Sequence, residues 1–290
     1  MRSRTIEEAS RLLTVGRMIW KRRETAYRTI VRTGQALIRA LAMRVRVSGA
    51  EHLPAAVRPG ERRRRFRPVR PGTGAVVAIT HSSLLDFVFA EAAVFPAARV
   101  HMRFMIAMRY SRSRFMEAIN GLCGHIPVDR DRPAGAVERA VRVLCDGDWV
   151  AMFPEGGRNH AIRPGELRTG AVRMAAQAGV PVVPVAVFGG GRLLGGGEGF
   201  RWARLWRAPI SVVIGEPLTV GPDEDVRAAT ARLRDALGVA VDRAIASFPG
   251  RLEAGAPWVP ADLGGGAPTV EEAEVQRRAR KGRLESDRSR

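Results

Sequence analysis

The chain has 290 residues, 46% of them hydrophobic, and its 48 basic against 29 acidic side chains give a net charge of +19. That is enough apolar material to bury a sizeable core, yet no stretch supplies the ~18 uncharged apolar residues of a conventional transmembrane helix. The charge calls for an anionic partner, either a membrane surface rich in acidic lipid or a nucleic acid.

From Ile6 to Arg46, Leu12, Val15, Ile19, Ile30, Leu37 and Leu41 recur at helical spacings against Arg11, Arg17, Lys21, Arg28, Arg32, Arg39 and Arg44. No signal peptide is recognised there, and the pattern suits a helix or helix pair lying in a membrane interface. Packing of the same stripe on the protein's own core is the alternative. Between Pro54 and Gly74, Arg58, Arg62 to Arg65, Arg67 and Arg70 stand among prolines. This reads as an exposed basic loop, suited to phosphate headgroups or an acidic acyl carrier protein, or simply to solvent.

The run from Ala75 to Thr80 is continuously apolar up to its last residue and predicts a fully buried strand. His81 then sits at the strand's exit. Ser82 or Ser83 is placed to cap a following helix whose first turn holds Asp86, so the imidazole and the carboxylate can converge. A carboxylate that accepts one ring N–H fixes the tautomer and makes the other nitrogen a general base near neutral pH. Backbone N–H groups near Ser83 are the candidate oxyanion donors.

A helix near Arg112–Leu122 precedes a strand in Gly124-His-Ile-Pro-Val-Asp-Arg-Asp131, and the helical pattern at Gly135–Gly147 leads into a strand at Val150–Phe153. Glu155 follows that strand and a proline, so its carboxylate should emerge at a strand end. Gly156 and Gly157 allow a close backbone approach or a positive φ. Arg130 and Arg158, on turns after apolar runs, make an anion clamp, with ordinary surface ion pairing as the alternative.

A helix at Arg168–Ala178, strands at Val182–Phe188 and Ile210–Ile214, and an amphipathic helix at Asp223–Phe248 complete the rhythm. The glycine-rich run Gly189–Gly199 lacks the ending of a P-loop and reads as a mobile loop. Beyond Pro249 the order is expected to fade into a glycine- and proline-rich linker and a charged tail with room for some helix. The expected fold class is α/β, a mostly parallel sheet flanked by helices with the site at the strands' carboxyl ends. The expected domains are an amphipathic helical segment at 1–47, the α/β domain at 48–250 and a flexible charged tail at 251–290.

Four blocks carry a resemblance: His81-Ser-Ser-Leu-Leu-Asp86, Gly124-His-Ile-Pro-Val-Asp-Arg-Asp131, Phe153-Pro-Glu-Gly-Gly-Arg-Asn159 and Gly179-Val-Pro-Val-Val-Pro-Val-Ala-Val187. In this order, across about Val45 to Val220, the chain resembles the glycerophospholipid acyltransferases, whose best-known members are the 1-acyl-glycerol-3-phosphate acyltransferases. The resemblance implies a His81–Asp86 catalytic dyad, an Arg130 contact to the acceptor phosphate, and acceptor binding by Glu155 and Gly156, extended here to Arg158. It also implies that the fourth block, around Val183 and Pro184, supports the acyl or acceptor pocket. Thr80 stands where the family usually has Asn, Gly157 where it has Thr, Asn159 where it has Ser, and Arg109 where many members have Lys.

The implied reaction moves a fatty acyl group from acyl-CoA or acyl carrier protein to the free hydroxyl of lysophosphatidate, with no metal and no cofactor beyond the thioester co-substrate. Another lysolipid or glycerol-3-phosphate as acceptor, or a catalytically silent membrane-binding relative, are the alternatives. The expected partners are a phospholipid surface, the lysophospholipid and the acyl carrier. Nucleic acid is disfavoured by the absence of a binding motif and by only 6% aromatic residues. The expected place is the cytoplasmic face of the cell membrane, peripheral or monotopic. Cys123 and Cys145, the only cysteines, suit reduced thiols there, with a disulfide left open.

Overall fold

Apolar runs too short for helices and free of alternation become interior strands. The computed structural model describes residues 25–54, 73–108, 113–129, 132–194 and 200–288. Its strands are β1 (Arg44–Ser48), β2 (Ala75–Ile79), β3 (Met102–Ala107), β4 (Ile126–Val128), β5 (Trp149–Met152), β6 (Val182–Phe188) and β7 (Pro209–Ile214). They form one seven-stranded sheet in the order β1-β7-β6-β2-β5-β3-β4. β2 pairs in parallel with β5 and β6, and β3 in parallel with β5 and β4. β7 runs antiparallel to β6 and carries β1 parallel to itself. The carboxyl ends of β2 to β6 therefore share one edge with the starts of β7 and β1.

The helices are α1 (residues 25–40), α2 (Asp86–Ala98), α3 (Arg114–Cys123), α4 (Ala134–Cys145), α5 (Gly170–Ala178), α6 (Val226–Ala246) and α7 (Val270–Arg288). All five residues of β2 are buried, and they alternate between two cores. Ala75, Val77 and Ile79 face Phe89, Ala90 and Val94 of α2. Val76 and Ala78 face the layer that holds Ala140 and Leu144 of α4, Ala171 and Val172 of α5, and Leu233 and Leu237 of α6. Each valine, leucine, isoleucine or phenylalanine among them contributes about 1.5–3 kcal/mol by leaving water, and each alanine less. β2 is thus held from both faces and both flanks, which makes its end a rigid place for a reactive side chain.

The mostly parallel α/β sheet flanked by helices is as the sequence implies, but two strands fall outside the expectation. β1 occupies residues expected to extend the N-terminal helical segment, which ends at residue 40, and β3 precedes the second block. Residues 1–24 and the arginine run 62–65 lie outside the described residues.

The chain past Pro249 is a correction. Trp258 and Val259 are 4% and 0% exposed, and both pack with Phe188 and Phe248. Arg192 lies over the Trp258 ring at 5.1 Å and bonds Glu253 at 2.8 Å, while Arg163 bonds Asp262 at 2.7 Å. Apolar anchors separated by glycines and prolines carry no periodic signal, although together they seal the end of a core.

Tyr27 of α1 reaches beneath α2. Its hydroxyl donates to Glu91, its oxygen accepts from the Met102 N–H at 3.0 Å, and its ring lies 3.8 Å from that of His101. Desolvation pushes the buried Glu91 carboxyl up to about 8, against the opposing Tyr27 hydrogen bond. As the pH rises from the ordinary carboxylate range toward 8, the unfolded chain loses this proton first. Stability that is fully present in acid is therefore lost by a few kcal/mol over that window. Glu91→Gln should flatten the decline and be more stable than the parent at pH 8. Denaturant unfolding across pH 5–8 checks this, and equal slopes in both chains would refute it.

Candidate active site at the carboxyl edge of the sheet

Thr80 closes β2: its N–H donates to Val185 O at 3.0 Å, and its hydroxyl oxygen accepts from Val187 N–H at 3.1 Å. A threonine in this position ties the end of β2 to β6, and the chain turns immediately afterwards. His81 begins the turn with its ring stacked on Phe153, the centroids 3.9 Å apart and the planes 20° from parallel. Its Nδ1 faces Asp86 Oδ2 at 3.6 Å, an ion-pair distance rather than a hydrogen bond.

Asp86 is completely buried at the first position of α2, where the helix dipole favours a negative charge. Burial raises its carboxyl above the usual range, opposed by the interaction with His81 and the main-chain hydrogen bond from Ser83. The Ser83 N–H donates to Oδ2 at 2.6 Å, the Leu85 N–H donates to Ser83 Oγ at 3.2 Å, and that hydroxyl donates to Leu194 O at 2.7 Å. Two expectations change as a result. Leu85 rather than Ser82 or Ser83 is the N-cap residue, without a side-chain cap, and the N–H groups of Ser83 and Leu85 hold the turn rather than facing outward as oxyanion donors.

β5 delivers the third block alongside. The Glu155 carboxylate accepts the His81 N–H at 3.2 Å, and the Asn159 N–H donates to His81 O at 2.6 Å, so the His81 main chain is gripped on both sides. Burial pushes the Glu155 carboxyl up to about 8 against the opposing His81 hydrogen bond. Gly156 has φ +72°, and a Cβ there would sit 2.2 Å from Arg168 Nε. Gly157, by contrast, opens onto free space. Arg158 is half-buried, and among the described residues it makes no ion pair or hydrogen bond. Arg130 and Arg109 lie outside the described residues. Val183 and Pro184 lie within β6, paired with Val77 and Ala78, where they set the register of β2.

The structure thus brings His81, Asp86 and Glu155 together, places Gly156 and Arg158 on the adjoining turn, and adds residues that sequence reasoning missed. A Cβ on Gly190 would lie 2.9 Å from Asp86 Oδ1, so the second residue of the glycine-rich run is pressed against this carboxylate. Arg277 of α7 donates to Glu155 O at 3.1 Å. The glycine run was the only signal of the former, and its spacing matches no binding motif. Among the described residues, no group of three or more His, Cys, Asp or Glu side chains is placed to hold a metal ion.

A family model described as Acyltransferase matches residues 44–188, half of the chain, from β1 through the end of β6. The chain belongs to the acyltransferase family. The matched span contains all of the acyltransferase-family blocks named above and both partners of the His81–Asp86 pair. A chloroplastic 1-acyl-sn-glycerol-3-phosphate acyltransferase of Brassica napus, BAT2, is 34% identical over 101 residues, which is 33% of this chain and 28% of the relative. A 1-acyl-sn-glycerol-3-phosphate acyltransferase of Chlamydomonas reinhardtii is 26% identical over 162 residues, 53% of this chain and 45% of the relative. This chain therefore spans less than half the length of either relative. The crystal structure of PlsC from Thermotoga maritima, described as a 1-acyl-sn-glycerophosphate (LPA) acyltransferase, superposes with a TM-score of 0.60. The superposition covers 82% of this chain and 91% of that one at 17% identity, a likeness of fold.

Proposed function

We propose that this acyltransferase-family chain transfers a fatty acyl group from a thioester to the free hydroxyl of 1-acyl-glycerol-3-phosphate. The observation that carries the reading is the His81 ring, gripped at its main chain and turned with Nδ1 toward the buried Asp86. That arrangement leaves Nε2 to accept a proton. The acceptor oxygen attacks the thioester carbonyl as its proton passes to His81 Nε2. The tetrahedral intermediate then collapses, its C–S bond breaks, and the thiolate takes the proton back from the imidazolium. Asp86 stabilises the imidazolium between these steps, and no covalent acyl-enzyme is needed.

Glu155 and Gly156 shape the acceptor side, and Arg158 and Arg130 supply donors for the acceptor phosphate. The names of the relatives support lysophosphatidate as the acceptor, and the donor is acyl-CoA or an acyl carrier protein. The protein acts as a peripheral or monotopic enzyme at the cytoplasmic face of the membrane. Contact with a membrane surface is supported by α1, which exposes Ile30 and Leu37 at 45% and 58%.

Free-thiol release from palmitoyl-CoA, and from palmitoyl acyl carrier protein, tests the reading with lysophosphatidate, glycerol-3-phosphate and other lysolipids supplied in turn. Lysophosphatidate should accelerate release most. A different preferred acceptor reassigns the substrate, and release that no acceptor accelerates refutes the transfer.

A further inference from the structure

The connection from β6 to β7 carries Arg201-Trp-Ala-Arg-Leu-Trp-Arg207, three arginines and two tryptophans without an acidic residue. Trp202 is 76% exposed and Trp206 65%, whereas Trp149 and Trp258 are 0% and 4%. A large aromatic ring costs free energy in water, so two of them held outward in one short segment demand an explanation.

The segment is braced. Trp202–Arg204 form a 3-10 turn, Leu205 between the tryptophans tucks against the core beneath the sheet, and the Leu205 N–H donates to Trp202 O at 3.1 Å. The Arg201 N–H donates to Leu193 O at 3.0 Å. Arg207 takes a left-handed φ of 54°, and its N–H donates to Leu41 O at 2.9 Å, just past the end of α1. Backbone bonds at both ends and an apolar anchor in the middle fix the direction in which the two indoles project.

Its location is equally defined. β6 leaves the sheet at Phe188 and β7 enters it at Pro209, with Phe188 opposite Ser211, so their connection crosses the edge where His81 lies. Ser83, three residues before Asp86, bonds Leu194 at the start of the same connection. β1 also begins at this edge, which brings the end of α1 beside Arg207 and adds the exposed Leu37.

We infer that the Arg201–Arg207 segment is a docking surface for a bilayer carrying anionic lipid, and that it seats the edge of the sheet bearing His81 on the membrane. Indole rings have an apolar body and one N–H donor and partition to the headgroup level, while arginines beside them neutralise lipid phosphates. The alternation of tryptophan and arginine supplies both terms within a single turn and loop. This inference rests on the reading that the acceptor is a membrane lipid, and it adds which surface meets the membrane.

The test uses the full chain with Trp20→Phe, which leaves Trp202 and Trp206 as the tryptophans outside the core. Vesicles of phosphatidylcholine with phosphatidylglycerol, made with brominated acyl chains, should quench the fluorescence. Trp202→Ser with Trp206→Ser should abolish that quenching and weaken vesicle partitioning on the order of tenfold. Replacing Arg201, Arg204 and Arg207 with Gln should weaken partitioning to the anionic vesicles and leave the weaker partitioning to pure phosphatidylcholine unchanged.

Thiol release with a short-chain lysophosphatidate in free solution should survive the tryptophan substitutions. Absence of quenching together with unchanged partitioning overturns the docking surface. A dimer that the substitutions break, with vesicle binding intact, assigns it instead to a second copy of the chain. Loss of vesicle binding in a protein that shows no thiol release with any acceptor upholds the surface and refutes the proposed reaction, so the two readings fail separately.

Discussion

His81→Ala lowers acceptor-dependent turnover by about 10²–10⁴-fold, the usual contribution of a positioned base. The fold should tolerate the change, because what grips this residue is its main chain. The N–H bond to Glu155 and the carbonyl bond from Asn159 survive the change to alanine, and what is lost is the stacking on Phe153 and the Nδ1 contact to Asp86. Thermal unfolding should therefore shift little while kcat collapses. A variant that keeps turnover within about threefold of the parent would remove His81 from the chemistry. A variant that also unfolds would be replaced by His81→Gln, which retains a planar polar group against Phe153.

Asp86→Asn should reduce kcat on the order of 10²–10⁴-fold, while the acceptor KM stays close to the parent value. The amide keeps the shape of the carboxyl, so Ser83 N–H can still find an acceptor. What disappears is the negative charge that favours the Nδ1–H tautomer and stabilises the imidazolium during transfer. Stability should move in the other direction. Burial already raises the Asp86 carboxyl, so the charged form is held at a cost and a neutral amide relieves it. The relief appears above the ordinary carboxylate range and vanishes in acid, where the aspartate is itself protonated. Steady-state kinetics alongside denaturant unfolding at pH 5 and pH 8 separates the two effects. Loss of activity and stability together would mean that Asp86 serves the fold rather than the histidine.

The parts of the molecule that the sequence made legible are those whose environment is local. A continuous run of small and β-branched residues must be buried on both faces, so Ala75–Thr80 implied a central strand and put His81 at its end. A proline and two glycines after Phe153 implied a turn, and Glu155 and Gly156 are found on it. The parts that were not legible depend on distant partners. Arg44–Ser48 alternates arginine with small or aliphatic residues, and it becomes a strand only because β7, more than 160 residues later, offers an unpaired edge. Trp258 sits among prolines and glycines, and nothing nearby in sequence reveals that Phe188, Phe248 and Arg192 form its pocket. The role of Gly190 was equally hidden, because a glycine pressed against a carboxylate has the same local pattern as one in a loop.

The contact from Arg277 to the Glu155 carbonyl bears on the order in which the molecule is built. The two residues are 122 positions apart, and β6, β7 and α6 all lie between them. During synthesis at about 5–20 residues per second, the turn that grips His81 leaves the ribosome several seconds before the helix that braces it. The nascent chain can therefore assemble β2, β5 and their histidine while one support of the third block is still missing. The Glu155 carbonyl gains its arginine partner only when α7 docks, so this one hydrogen bond of the reactive edge is made late in synthesis.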